Sequence, residues 1–142
     1  MGLTMEFLLG NEEKIVEAIK VFDLDNLDDN VMQRADFSLH LTPDDLNTLS
    51  LSASKFNSQA PISLRNFLEV VIDNEDYGLF KINKEWVRYF AKLDRSALKE
   101  LSKEWFIEMQ KQYPNEELML TKDSINAVID LWTLCNTALK VW

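Results

Sequence analysis

Leu3, Met5, Phe7 and Leu9 alternate with Thr4, Glu6 and Leu8 at the start of the chain, the two-residue period of a strand with one mostly apolar face. The pattern predicts a strand over residues 3–9. Gly10 and Asn11 end it, and Asn11 is placed to cap a helix whose first turn carries Glu12 and Glu13, where acids oppose the positive end of the helix dipole. Ile15, Ile19 and Phe22, joined by Val16 and Ala18, give that helix one apolar side as far as about Asp23. Residues 23–30 are so rich in Asp and Asn that the reading there is a loop.

Alternation returns at residues 34–41, with Phe37, Leu39 and Leu41 on one side and Ser38 and His40 on the other, which predicts a second strand. It runs into Thr42, Pro43, Asp44 and Asp45, a helix start with a hydroxyl cap, proline in the first turn and acids behind it. Leu46 and Leu49 give this helix an apolar side, while Ser50, Ser52, Ser54 and Ser58 dilute it and predict a short helix with a serine-rich exit. Leu64, Phe67, Leu68, Val71 and Ile72 then recur at helical spacing, with Ser63 as the cap, so residues 64–72 read as a helix. Tyr77 to Ile82 is aromatic and apolar enough for a third strand.

The remainder is helical in period. Asn83 precedes Trp86, Val87, Phe90 and Leu93; Asp94 precedes Leu98, Leu101, Trp105 and Met109, with an end near Pro114; Thr121 precedes Ile125, Val128, Ile129, Trp132, Cys135 and Leu139. That last stripe is wide enough to face two neighbours. The expected fold is therefore α+β: a predominantly helical body of about six helices, with a small two- or three-stranded sheet formed by N-terminal and central strands. No internal repeat and no linker composition divides the chain, so residues 1–142 read as a single globular domain.

Composition refines this picture. The 142 residues carry 15 Lys and Arg against 24 Asp and Glu, a formal charge of -9, and a chain of that length can bury roughly 68–70% of its unfolded surface without a staple. The charge is uneven: residues 1–50 hold 11 acids and three bases, or -8, and the rest holds nearly balanced numbers. A lone Cys135 forms no internal disulfide, and with a single His it builds no Cys/His zinc site, which points to a reduced, cytoplasmic setting. The first nine residues lack the basic n-region of a secretory signal, Glu6 stands where a myristoylation motif needs Ser or Thr, and no apolar run reaches the ~18 residues of a membrane span. The base-rich stretch from Lys81 to Lys99 is broken by Glu85 and Asp94, so neither nucleic acid nor membrane is an expected partner.

Catalytic motifs are sparse. An EF-hand beginning at Asp23 would place Asp25 and Asp29 correctly but puts Leu27, Asp28 and Arg34 where an oxygen ligand, the turn glycine and the bidentate Glu belong, so no metal is assigned. Ser52 to Lys55 and Ser96 to Lys99 match Ser-x-x-Lys, yet the companion motifs of that enzyme class are missing. With three glycines in all, phosphate-cradling loops are nearly excluded, and no cofactor is called for. No motif maps the chain onto a known family.

Two functional readings remain. In the first, the acidic half, with Asp23, Asp25, Asp28, Asp29, Asp44 and Asp45, faces a basic protein partner, as an inhibitor, adaptor or immunity-type protein would, the protein itself being a monomer or homodimer. In the second, a small enzyme or ligand-binding domain uses His40 as general base, oriented by Asp36, Asp44 or Glu6. The aromatic residues Trp86, Trp105 and Trp132 fall on helix stripes and read as core. The terminal Trp142 is expected to tuck back onto the domain; left exposed, it would anchor a dimer or partner contact. Cys135, on an apolar stripe, reads as an inert thiol.

Overall fold

A computed structural model describes residues 5–39, 41–57, 67–75 and 77–142. The chain forms strand β1 (Glu6–Gly10), helices α1 (Glu12–Lys20) and α2 (Leu24–Asn30), strand β2 (Val31–Asp36), helix α3 (Pro43–Ala53), strands β3 (Leu68–Asp73) and β4 (Gly78–Ile82), and helices α4 (Lys84–Ala91), α5 (Leu98–Gln112) and α6 (Lys122–Val141). The fold is α+β, but the four described strands make two separate antiparallel pairs, β1 with β2 and β3 with β4, rather than one sheet.

Caps explain most of the helix starts. Asn11 Oδ1 accepts the Lys14 amide, Asn83 Oδ1 the Glu85 amide and Thr121 Oγ1 the Ser124 amide, each satisfying a donor that a helix end leaves unpaired. α1 stops at Lys20, and the chain turns at Phe22, whose φ of 55° lies in the left-handed region that L side chains seldom occupy. Gly10 is required where β1 ends, because a Cβ there would overlap the carbonyl oxygen of Asn30, which accepts the Asn11 amide at 3.1 Å.

The structure corrects the sequence reading in four places. Residues 24–30 are helical: Asp23 caps the turn by accepting the Asn26 amide, and Leu27 is buried against Ile15 and Ala18. The predicted helix over 64–72 is instead strand β3 from Leu68 onward, because Val70 and Ile72 of its β-branched run pair with β4, Val71 standing at the irregularity between them; residues 58–66, with Ser58, Ser63 and Leu64, lie outside the described residues. The second strand spans Val31–Asp36 rather than 34–41, although Phe37 and Leu41 are buried as their alternation implied. Ser50 and Ser52 belong to α3 and are buried; the Ser52 hydroxyl donates back to the Thr48 carbonyl at 2.9 Å and the Ser50 hydroxyl accepts the Trp86 indole N–H at 2.7 Å. Asp94 caps a short 3-10 turn, Arg95–Ala97, that leads into α5.

The main core lies where β1 and β2 and helices α3 to α6 meet, around Phe37, Phe90, Trp86, Trp105, Leu101 and Val128. Phe67, Trp86 and Phe90 stack in sequence at centroid separations of 4.4 and 4.9 Å, a geometry that adds to their burial. Each internal indole also finds an acceptor: Trp105 donates to the Asp45 carbonyl and Trp132 to the Leu93 carbonyl, both at 2.9 Å. A smaller cluster of Ile15, Ala18 and Leu27 packs α1 and α2 onto the opposite face of β1, through Leu8.

Candidate functional site

The N-terminal acids decorate a helix-turn-helix projection, and most stand in water. Glu12, Glu13 and Glu17 line α1; Asp23, Asp25, Asp28 and Asp29 surround α2; all seven are exposed. The three bases of this half offset only part of the charge. Arg34 bridges two acids, with Nη1 3.2 Å from Glu6 and Nη2 on Asp28, while Glu12 reaches across to Lys81 at 3.0 Å. Asp23 is committed to its cap. Asp25 and Asp29 have no cationic partner among the described residues.

The turn between α1 and α2 adds what charge alone lacks. Val21, Phe22 and Leu24 are 66, 69 and 67% exposed, three large apolar side chains grouped around Asp23. The left-handed backbone at Phe22 turns the chain here, and among described aromatic rings its ring meets only Tyr77, at the tip of the β3–β4 hairpin, edge-on at 5.5 Å. The sequence reading assigned Phe22 to the buried stripe of α1. That assignment fails because the helix ends two residues earlier.

The remaining candidate residues do not form one constellation. His40 lies outside the described residues. Glu6 is held by Arg34. Asp36 accepts the Ser38 amide at 3.0 Å, and hydrogen bonding from Ser38 lowers its carboxyl below the usual range. Asp44 is exposed at the start of α3, where its carbonyl accepts the Thr48 hydroxyl. Asp45, predicted as an exposed binding acid, is only 4% exposed: its Oδ2 accepts the Thr42 amide at 2.9 Å and its Oδ1 the Tyr113 hydroxyl at 3.0 Å. It is a capping and cross-helix group, and hydrogen bonding to it raises the Tyr113 pKa. No three His, Cys, Asp or Glu side chains converge as a metal-ligand set among the described residues.

Other features follow from burial. Cys135 is buried on α6, and burial pushes its thiol up to about 12. Lys55, the base of the first Ser-x-x-Lys match, pairs with Glu104 and Glu108 of α5 rather than with Ser52. Trp142 remains 47% exposed, its ring 5.2 Å from Lys84 Nζ and 5.8 Å from the Arg88 guanidinium carbon. The expected tuck is therefore partial: two cations of α4 lie over the ring, and about half of the residue stays in solvent. Among the described residues, no helix is long and apolar enough to cross a membrane.

A cleft of about 530 Å³ opens between the β1–β2 pair and the β3–β4 hairpin. One wall is β1 with the start of α1; the other is β4; the floor is α6, with Leu131, Leu134, Cys135 and Ala138. Its size falls in the range of ligand sites. Sequence reasoning missed it, because it exists only where two strand pairs that could have formed one sheet stand apart. No family model, curated protein or solved structure matches this chain.

Proposed function

We propose that the protein is a protein-protein interaction module whose contact surface is the turn between α1 and α2, docking on a basic partner. The observation that supports this reading is the grouping of Val21, Phe22 and Leu24, each about two-thirds exposed, around Asp23 and at the start of α2, which carries the exposed Asp25 and Asp29. An apolar anchor surrounded by charge is the anatomy of a protein contact, in which the aromatic residue carries much of the affinity and the rim sets partner and association rate. The acids that remain unpaired give a field that draws a basic surface and repels an acidic one.

Affinity capture from the source cells tests the reading, with wild type, Phe22→Ser with Leu24→Ser, and Asp25→Asn with Asp29→Asn, at about 50 and 500 mM salt. The proposal requires a basic protein retained by wild type, weakened by salt, and lost by about tenfold or more in the apolar variant. Retention that ignores both salt and the Phe22 substitution refutes it.

A further inference from the structure

Among the described residues, β1 and β4 each have an edge that pairs with no strand, and both line the cleft. Every described residue from Met5 to Gly10 and from Gly78 to Ile82 lines it; no residue of β2 does, whereas Leu68, Val71 and Asp73 of β3 stand beside β4 in the lining. In an antiparallel pair, backbone groups point alternately toward the partner strand and away from it. The Phe37 amide donates to the Met5 carbonyl at 2.9 Å in a register that pairs Phe7 with Ala35, so Phe7 and Leu9 bond toward β2 while Glu6 and Leu8 point their N–H and C=O groups away from it. On β4, the Asn83 amide donates to the Phe67 carbonyl at 2.8 Å and the Asn74 amide to the Tyr77 carbonyl at 3.1 Å, with an irregularity between Val70 and Ile72. That parity points the backbone groups of Gly78, Phe80 and Ile82 away from β3. Unpaired edge groups of this kind are a template for an added strand.

The surroundings are those of a missing central strand. α1 covers one side of the cleft, with Ile15 and Val16, and α6 covers the other, with Leu131, Leu134 and Ala138. We propose that the cleft receives an extended peptide segment of a partner protein, five or six residues long, which pairs with β1 and β4 and joins the two strand pairs into one sheet. A strand of that length spans about 17 Å, which matches the five-residue runs of β1 and β4. Side chains of the peptide facing α6 are apolar, because the floor is. The ends are distinguished by charge: Lys84, beside Trp142, lines the base of the cleft, and Asp73 lines the end near the hairpin tip, and neither has an ion-pair partner among the described residues. The segment therefore carries an acidic group at the Lys84 end and a basic one at the Asp73 end. This strand addition is independent of the acidic turn and does not require it, so salt-dependent capture by Phe22 and failure of the cleft to bind are separable results.

The test uses the full chain, a displayed library of random octapeptides, and residue-resolved amide hydrogen exchange. In the free protein the Leu8 and Phe80 amides exchange faster than those of Phe7 and Lys81. With the best selected peptide, the amides of Glu6, Leu8, Gly78, Phe80 and Ile82 slow by about tenfold or more, an opening cost raised by at least ~1.4 kcal/mol. Selection repeated on Lys84→Glu replaces the acid at one peptide end with a base. Four results overturn the proposal: no enriched peptide, protection confined to one strand or to neither, slot amides already protected in the free monomer, or protection that rises with protein concentration because a second copy supplies the strand.

Discussion

Replacing Asp45 with alanine separates a buried connector from a solvated surface acid. In the structure the carboxylate accepts the Thr42 amide, completing a capping box at the start of α3, and the Tyr113 hydroxyl, which ties α3 to the end of α5. Loss of the cap costs about 1 kcal/mol. Loss of a hydrogen bond to a charged acceptor costs about 1.5–3 kcal/mol, because the Tyr113 hydroxyl loses its carboxylate partner in a part-buried site. Asp45→Ala is thus expected to lower stability by about 3 kcal/mol, and the melting temperature by roughly 10 °C for a domain of this size. Urea unfolding followed by tryptophan fluorescence measures it, with Tyr113→Phe and the double variant completing a cycle. The coupling between the two sites should be about 1–2 kcal/mol. A single-variant loss below about 0.5 kcal/mol, or strict additivity, would show that Asp45 behaves as an ordinary surface acid.

Burial raises the Tyr89 pKa from 10.0 to about 12, so the folded state favours the neutral phenol; its contribution is complete below pH 10 and is lost as pH rises toward about 12. A spectroscopic titration should therefore show a tyrosine ionising near 12 that is absent in Tyr89→Phe, and a high-pH step unchanged by that substitution would contradict the placement. Cys135 should resist iodoacetamide at pH 8 and react only at the rate of unfolding, since its thiol is buried and raised to about 12; rapid alkylation of the native chain would refute this. Trp142→Ala should cost about 0.5–1 kcal/mol, the worth of exposed contacts with Lys84 and Arg88, and should leave the cooperativity of urea unfolding unchanged. A loss above about 3 kcal/mol would mean that Trp142 is a core residue.

Local chemistry was the legible part of the chain. Asn11, Asn83 and Thr121 announced helix starts because a cap is a short-range device, and the stripes through Trp86, Trp105 and Val128 announced the core because burial imposes the helical period. Residues 64–72 misled because Leu68, Val71 and Ile72 satisfy a helical spacing while Val70, Val71 and Ile72 also favour a strand, and pairing with β4 decides between them. Asp23 to Asn30 misled in the opposite sense: single residues there favour turns, yet the Asp23 cap and the burial of Leu27 close a helix of two turns. Of the candidate sites, the acidic surface was visible in the charge distribution. Asp45 was not separable from its neighbours, because its partner Tyr113 stands 68 residues away. The cleft was invisible, since no sequence period records a gap between two pairs of strands.

The β3–β4 hairpin is fastened unequally at its two ends. At the base, Phe67 is stacked on Trp86 and accepts the Asn83 amide, and Lys81 reaches Glu12 of α1; at the tip, the described ring contact is that of Tyr77 with the exposed Phe22. An edge-on ring pair on the surface holds far less than a buried stack. The hairpin is thus hung like a door on an aromatic hinge, with its latch, a single ring, at the free end. Its outer amides should open more readily than those beside Phe67.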